Sequence, residues 1–200
     1  MKCSYIAIER EYGSGGTEIA RKLASECGIS CFGREILEEV SKKYDISVEQ
    51  VEQYEEKVTG SFLYSVFMLT KAQSGDANMV TNEGYTYLAE QEVIKNIAAK
   101  GPAVFLGHCA TEALKDYRGV VKVFIRSGIE EKKKRIMETY NIPANKVEST
   151  MKRFDKKRAN YYYANTTKHW DDMKNYDIVL DSGVLGVEGC VKVLRVLVEK

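Results

Sequence analysis

The sequence predicts an α/β fold in which a parallel sheet is covered by helices on both faces. Short apolar runs of strand type alternate with longer segments of helical period. One run, Ala103-Val104-Phe105-Leu106, is continuously apolar, as expected of a strand buried on both faces. A loop holding Gly13, Gly15 and Gly16 separates the first strand from the first helix. Alternation of this kind implies right-handed crossovers and parallel strands.

The elements follow in order. Tyr5 to Ile8 is the first strand. The next helix is apolar at Ile19, Ala20, Leu23, Ala24 and Cys27, which share one face. Gly28 ends it, and Ile29 to Phe32 forms a short second strand. Gly33-Arg34-Glu35 opens a helix with Ile36, Leu37 and Val40 on one face. From about Tyr44 to Gln91 the pattern is helical and loosely amphipathic, with a capping box at Ser47 and Gln50. Within it, Phe62 to Met68 is aromatic and apolar, and Lys71 to Asn78 reads as a loop. Those aromatics suit packing of a subdomain, or a cover over a bound base. A helix from Glu83 to Lys100 carries Tyr87, Leu88, Val93, Ile94 and Ile97, and Gly101-Pro102 stops it. After the third strand, Gly107-His108-Cys109-Ala110 opens a helix. Val120 to Ile125 is the fourth strand, followed by a helix from Ile129 to Tyr140. A long basic helix runs from Asn145 to about Ala164, then Ile178 to Asp181 is the last strand and Val187 to Glu199 the last helix.

Bulk properties narrow the function. The chain has 200 residues, with 30 Lys plus Arg against 29 Asp plus Glu. That balance gives no overall attraction to nucleic acid or to an anionic membrane. No apolar run is long enough to span a bilayer. The N-terminus enters the first strand directly, leaving no room for a signal peptide. Five cysteines without paired spacing read as free thiols in a reducing cytoplasm, and Cys27 with Cys31 lacks a second pair for zinc.

Strand, glycine loop and helix N-terminus form an arrangement that wraps a phosphate. Set against G-x-x-x-x-G-K-[ST], Gly15 takes the second glycine and Thr17 the magnesium-binding hydroxyl. Gly16 then stands where the lysine belongs, and Arg10 where the first glycine belongs. Ligands in such sheets bind beyond the carboxyl ends of the strands. Those ends carry Arg10, Gly33 with Arg34, Gly107 with His108, and Arg126 with Ser127.

The blocks Ile8 to Gly16, Phe32 to Ile36, Gly107 to Ala110, Asp155-Lys156-Lys157-Arg158 with Tyr161, Trp170, and Asn175 to Leu180 resemble the cytidylate-kinase-like family. The resemblance implies a P-loop nucleoside monophosphate kinase fold: a three-layer domain with a five-stranded parallel sheet, a helical acceptor-binding insertion and a basic lid. It divides the single domain into a core of 1–40 and 84–200, an insertion of about 41–83 and a lid of about 144–170. It implies ATP with Mg2+ and nucleotide substrates; the balanced charge, the phosphate loop and the lack of a long apolar run predict neither nucleic acid nor membrane as partner. Gly33 replaces the Asp usual in this branch, and His108 replaces an Arg. In cytidylate kinases both places help hold the acceptor.

Phosphoryl transfer needs positioning and positive charge. Gly13, Ser14, Gly15, Gly16 and Thr17 are the candidates for holding ATP phosphates, with Thr17 at the metal. Thr17 alternatively caps the helix. Arg10, Arg158, Lys157 and Arg126 are candidates for offsetting the transferring charge, with solvated surface arginines and lysines as the alternative. Asp155 would hold Arg158 from one turn back. Arg34 and His108 would face the acceptor. Glu9 could act through water, and no Walker B aspartate follows the third strand. His169 would pack the lid hinge, and Asp181 would cap the following turn. The same residues would also suit a nucleotide-binding protein without transferase activity, or a kinase for a non-nucleotide small molecule.

Overall fold

The computed structural model describes residues 3–45, 47–57 and 82–198. Its strands are β1 (Tyr5–Arg10), β2 (Ser30–Phe32), β3 (Ala103–Leu106), β4 (Val120–Arg126) and β5 (Ile178–Asp181). They form one sheet in the order β2-β3-β1-β4-β5, with every neighbouring pair parallel. The first strand is thus central, and its carboxyl end lies between those of β3 and β4. The helices are α1 (Gly16–Cys27), α2 (Glu35–Tyr44), α3 (Val48–Lys57), α4 (Asn82–Ala98), α5 (Ala110–Ala113), α6 (Ile129–Tyr140), α7 (Ala144–Thr166) and α8 (Ser182–Val198).

Strand alternation sorts the two faces of the sheet. Ile6, Ile8, Val104, Val123 and Ile125 meet Ile19 and Leu23 of α1 and Cys190 and Leu194 of α8. Ala7, Ala103 and Phe105 meet Ile36, Leu37 and Val40 of α2, Val51 of α3 and Val93 and Ile94 of α4. Each large side chain fully buried this way contributes about 1.5–3 kcal/mol. At the carboxyl end of the second face, Phe124 packs with Tyr161, Tyr162, Trp170 and Tyr176. That aromatic cluster seats the C-terminal half of α7 on the sheet.

The capping box is formed. Ser47 N–H donates to Gln50 Oε1 at 3.0 Å and Gln50 N–H to Ser47 Oγ at 3.2 Å. Several bounds shift by a residue or two from expectation, and three elements show a physical reason. β1 runs two residues further, because its ladder with β4 continues to Arg10 opposite Ile125. The helix after β3 is a single turn, since Gly107, His108 and Cys109 all hold positive φ (78°, 55° and 52°) and spend those residues on a left-handed corner. The last helix starts at Ser182 and kinks at Gly186, so the expected start at Val187 marks the segment beyond the kink. The Phe62 to Met68 aromatics and the Lys71 to Asn78 loop lie outside the described residues.

Candidate active site

The glycine loop closes between β1 and α1. Gly15 caps the helix in the left-handed region, φ 75°, without a side-chain cap. Ile19 N–H is the first to find a helical acceptor, Gly15 O at 2.9 Å. The amides of Gly16, Thr17 and Glu18 ahead of it belong to the turn whose N–H groups and positive dipole end suit an anion. They border a cleft of about 620 Å³ that is also lined by Arg10, Gly13, Gly15, Arg135, Tyr140 and Arg158. Thr17 lines this cleft as the second residue of α1, past the cap position that Gly15 holds. Ser14 is different. Its hydroxyl donates to Glu11 O at 2.8 Å and its carbonyl accepts from Ser182 Oγ at 2.6 Å, so its polar groups hold the loop in shape.

Arg10 and Gly16 fit each other. A Cβ on Gly16 would lie 2.6 Å from Arg10 Cβ and 2.8 Å from Arg10 Cγ. The base of the arginine side chain fills the space a lysine stem would need. Its guanidinium then turns toward Gly107, where a side chain would again collide with it.

The long helix docks on this loop. Tyr12 N–H donates to Asp155 Oδ1 at 2.6 Å, and Arg158 Nη1 donates to Arg10 O at 3.1 Å and to Asp155 Oδ1 at 3.3 Å. The Tyr12 ring stacks between Phe154, 4.4 Å away, and Tyr140, 5.5 Å away. Burial pushes the Asp155 carboxyl up in spite of the Tyr12 amide and Arg158, and pulls Arg158 down in spite of Asp155 and Glu9. Asp155 therefore holds Arg158 as its one-turn spacing predicts.

A second cavity, of about 370 Å³, lies across Arg10 and Arg158 from the loop. Glu9, Gly107, His108, Lys157, Tyr161 and Tyr162 also line it. Glu9 is only 4% exposed and accepts from Trp170 Nε1–H at 3.2 Å. Burial raises the Glu9 pKa, opposed by Arg10, the Trp170 hydrogen bond, Arg158 and His108. Behind it, the Tyr161 hydroxyl donates to Glu90, which lies 3.6 Å from His108 Nδ1. A third pocket, of about 400 Å³, continues past Thr17, Arg21, Arg34 and His108. Arg34 pairs there with Glu52 at 3.1 Å.

The predicted residues thus divide. Arg10, Thr17, Lys157, Arg158, Arg34 and His108 converge on these joined cavities, together with Gly13, Gly15 and Gly16. Arg126 does not: it pairs with Asp181 at 3.4 Å and lines none of the three. Asp181 also caps the next turn, accepting from Gly183 N–H at 3.0 Å. His169 packs on Tyr163, ring centroids 5.2 Å apart. The five cysteines are free thiols, and burial followed by Glu35 pushes Cys31 up to about 11.

Arg135 was not among the candidates from sequence. It donates to Gly13 O at 3.0 Å and lies over Gly15. The signal was the basic run Lys132 to Arg135, whose other anchor, Lys132, is buried against Glu11 at 3.0 Å. The partnership of Glu9 with Trp170 joins residues 161 apart in sequence and left no local mark.

A model of the cytidylate kinase-like family matches residues 5–184. The chain belongs to that family. This membership supports phosphotransferase as the reaction class. The structure is similar to that of an uncharacterized protein from Eubacterium ventriosum ATCC 27560, with a TM-score of 0.71, 25% identity and 97% of each chain covered. It shares its fold with a shikimate kinase from Bacteroides thetaiotaomicron, TM-score 0.51, 12% identity and 98% of each chain covered. It also shares it with TT1252 from Thermus thermophilus, TM-score 0.52, 14% identity and 100% of each chain covered. Comparison with curated proteins found no match. Among the described residues no helix is long and apolar enough to cross a membrane.

Proposed function

We propose that this protein transfers a phosphoryl group from ATP, with magnesium, to a nucleoside monophosphate or a related small acceptor. One observation carries the reading: Arg10 and Arg158 line both the cleft at the glycine loop and the cavity beside it. A phosphoryl group passing between two bound molecules would cross that boundary, where fixed cations stabilise its charge most effectively. Gly13, Gly15, Gly16 and Thr17 would hold the donor phosphates through backbone amides, with Ser14 shaping the loop behind them. Arg10 would supply the charge that a loop lysine carries elsewhere, and Lys157 would add to it from α7. Arg34 and His108 would face the acceptor. The segment of about 144–170 would act as lid and that of about 41–83 as acceptor-binding insertion.

Magnesium usually binds a nucleotide enzyme through one or two protein oxygens, substrate phosphates and water. Thr17 fits that role: it lines the cleft, and Gly15 rather than Thr17 holds the helix cap. Among the described residues no group of three or more acidic, His or Cys side chains forms an all-protein metal cage. The ion would therefore arrive with the nucleotide and polarise its phosphates. Free thiols fit a cytoplasmic setting.

The test is ADP release from magnesium-ATP across a panel of monophosphates and other small acceptors, with ATP binding followed by calorimetry. Acceptor-dependent ADP release supports the reading. ATP binding without transfer to any acceptor replaces it with a nucleotide-binding protein that lacks transferase activity. That second reading is favoured by the glycine at position 16.

A further inference from the structure

Glu9 occupies a position that packing alone does not explain. It is the last residue but one of the central strand, on the face of Ala7, opposite Phe124 in the β4 ladder. Its neighbours there, Phe124, Trp170, Tyr162 and Tyr176, form an aromatic cluster. An apolar residue would fill such a place without desolvating a charge. The carboxyl instead opens on the cavity shared by Arg10, His108 and Arg158. It lines that cavity and not the cleft at the glycine loop. It therefore lies on the acceptor side of the two arginines.

The acceptor's chemistry decides whether a carboxylate helps there. A phosphate acceptor is already an anionic nucleophile and has no proton to lose. It would also bring its charge against Glu9. A hydroxyl acceptor is neutral, and a positioned carboxylate can take its proton as the new bond forms. We propose that Glu9 is the proton acceptor for the hydroxyl group of a neutral, nucleoside- or sugar-sized substrate bound between Glu9, His108, Tyr161 and Tyr162. The volume of about 370 Å³ lies in the range of small-molecule sites. This rests on the phosphoryl-transfer reading above and narrows its acceptor to an alcohol.

In the step, the hydroxyl oxygen bonds to the γ-phosphorus of ATP. The bond from that phosphorus to the β,γ-bridging oxygen breaks, and ADP leaves with its electron pair. The hydroxyl proton passes to Glu9, which returns it to water after product release. The product is a phosphomonoester. The charged and titratable groups facing Glu9 are Arg10 on β1, His108 after β3, Arg158 and Tyr162 on α7, and Tyr176 before β5, with the Trp170 N–H bound to it. Burial raises its proton affinity, while Arg10, the Trp170 hydrogen bond, Arg158 and His108 oppose the rise.

Trp170 is the chain's single tryptophan, so its fluorescence reports on Glu9 directly. The experiment supplies magnesium-ATP with nucleosides, simple sugars and cyclitols, and in parallel with nucleoside monophosphates. Products are identified by mass spectrometry, and acceptor binding is followed by Trp170 emission. The expected result is a phosphomonoester from an alcohol. E9Q should then lower kcat about 100-fold or more with KM little changed, and remove the acid limb of the pH–kcat profile. E9D should recover part of the rate. A single cooperative thermal unfolding transition in E9Q establishes that the variant is folded. A diphosphate formed from a monophosphate at the same rate by wild type and E9Q overturns the role of Glu9 and leaves phosphoryl transfer standing. Bound ATP with no transfer to any alcohol or monophosphate overturns both.

Discussion

Gly16 stands against Arg10 so closely that a methyl group on it would lie 2.6 Å from the arginine Cβ. The missing loop lysine and the arginine six residues earlier are thus one structural fact. Restoring a lysine at position 16 requires removing the side chain that has replaced it. Gly16→Ala should destabilise the fold by about 1–3 kcal/mol through overpacking. Gly16→Lys should not raise ATP affinity, whereas the double change with Arg10→Gly should bind ATP better than Gly16→Lys alone. Thermal unfolding and calorimetry check both, and additive effects of the two changes would contradict the coupling.

Arg158 bridges the loop backbone and the long helix through Arg10 O and Asp155. Arg158→Ala should lower turnover about 100- to 1000-fold, the usual effect of removing a donor aimed at developing charge. Arg158→Lys should recover only part, because a lysine lacks the forked donors that reach two oxygens. Unchanged turnover in the alanine variant would remove this helix from the mechanism.

Arg135 offers a separate test of the donor cleft. Its guanidinium bonds Gly13 O and lies over Gly15. Arg135→Ala should weaken ATP binding by about 1.5–3 kcal/mol, the range for a charged hydrogen bond, as read by calorimetry. Acceptor binding followed by Trp170 emission should not change, since Arg135 does not line that cavity.

Thr17→Val keeps the shape and removes the hydroxyl. The magnesium concentration for half-maximal turnover should rise about tenfold, ~1.4 kcal/mol. Thr17→Ser should behave as wild type, and equal magnesium dependence in all three would exclude the hydroxyl as a ligand.

The buried Glu9 makes stability depend on pH in a defined direction. Its folded pKa lies above the ordinary value of 4.5 because burial disfavours the charge. Between those two values the folded chain binds a proton that the unfolded chain has lost. Stability therefore falls as pH rises through that window and stays lowered above it. Asp155 contributes in the same direction from 3.8. Glu9→Gln should gain in Tm over wild type as pH rises from about 4 to 8. A Tm difference independent of pH would show that the carboxylate is not penalised by its surroundings.

Local pattern was enough for most elements. Ile129–Tyr140 and Ile178–Asp181 have the bounds expected from sequence: Gly128 precedes the first and Asn141 follows it, and Asp177 and Ser182-Gly183 flank the second, a short apolar run. The single-turn α5 was not legible in the same way. His108 and Cys109 adopt positive φ, which no side chain there announces. Of the site, the glycine loop, Arg10 and the Asp155–Arg158 pair could be read because loop spacing and one helical turn are local relations. Arg126 has the same local credentials as Arg10, yet it pairs with Asp181 on the neighbouring strand.

By itself the sequence determined the strand–loop–helix unit, the parallel α/β class and the family, all of which depend on short-range order or on blocks in register. Only the tertiary structure decided which charges meet. The sheet order places β1 between β3 and β4, and this brings Glu9 to Trp170, Arg10 to Gly107 and Arg135 to Gly13. Those contacts depend on how the crossovers stack the carboxyl ends of separate strands, and a one-dimensional pattern carries no measure of that distance.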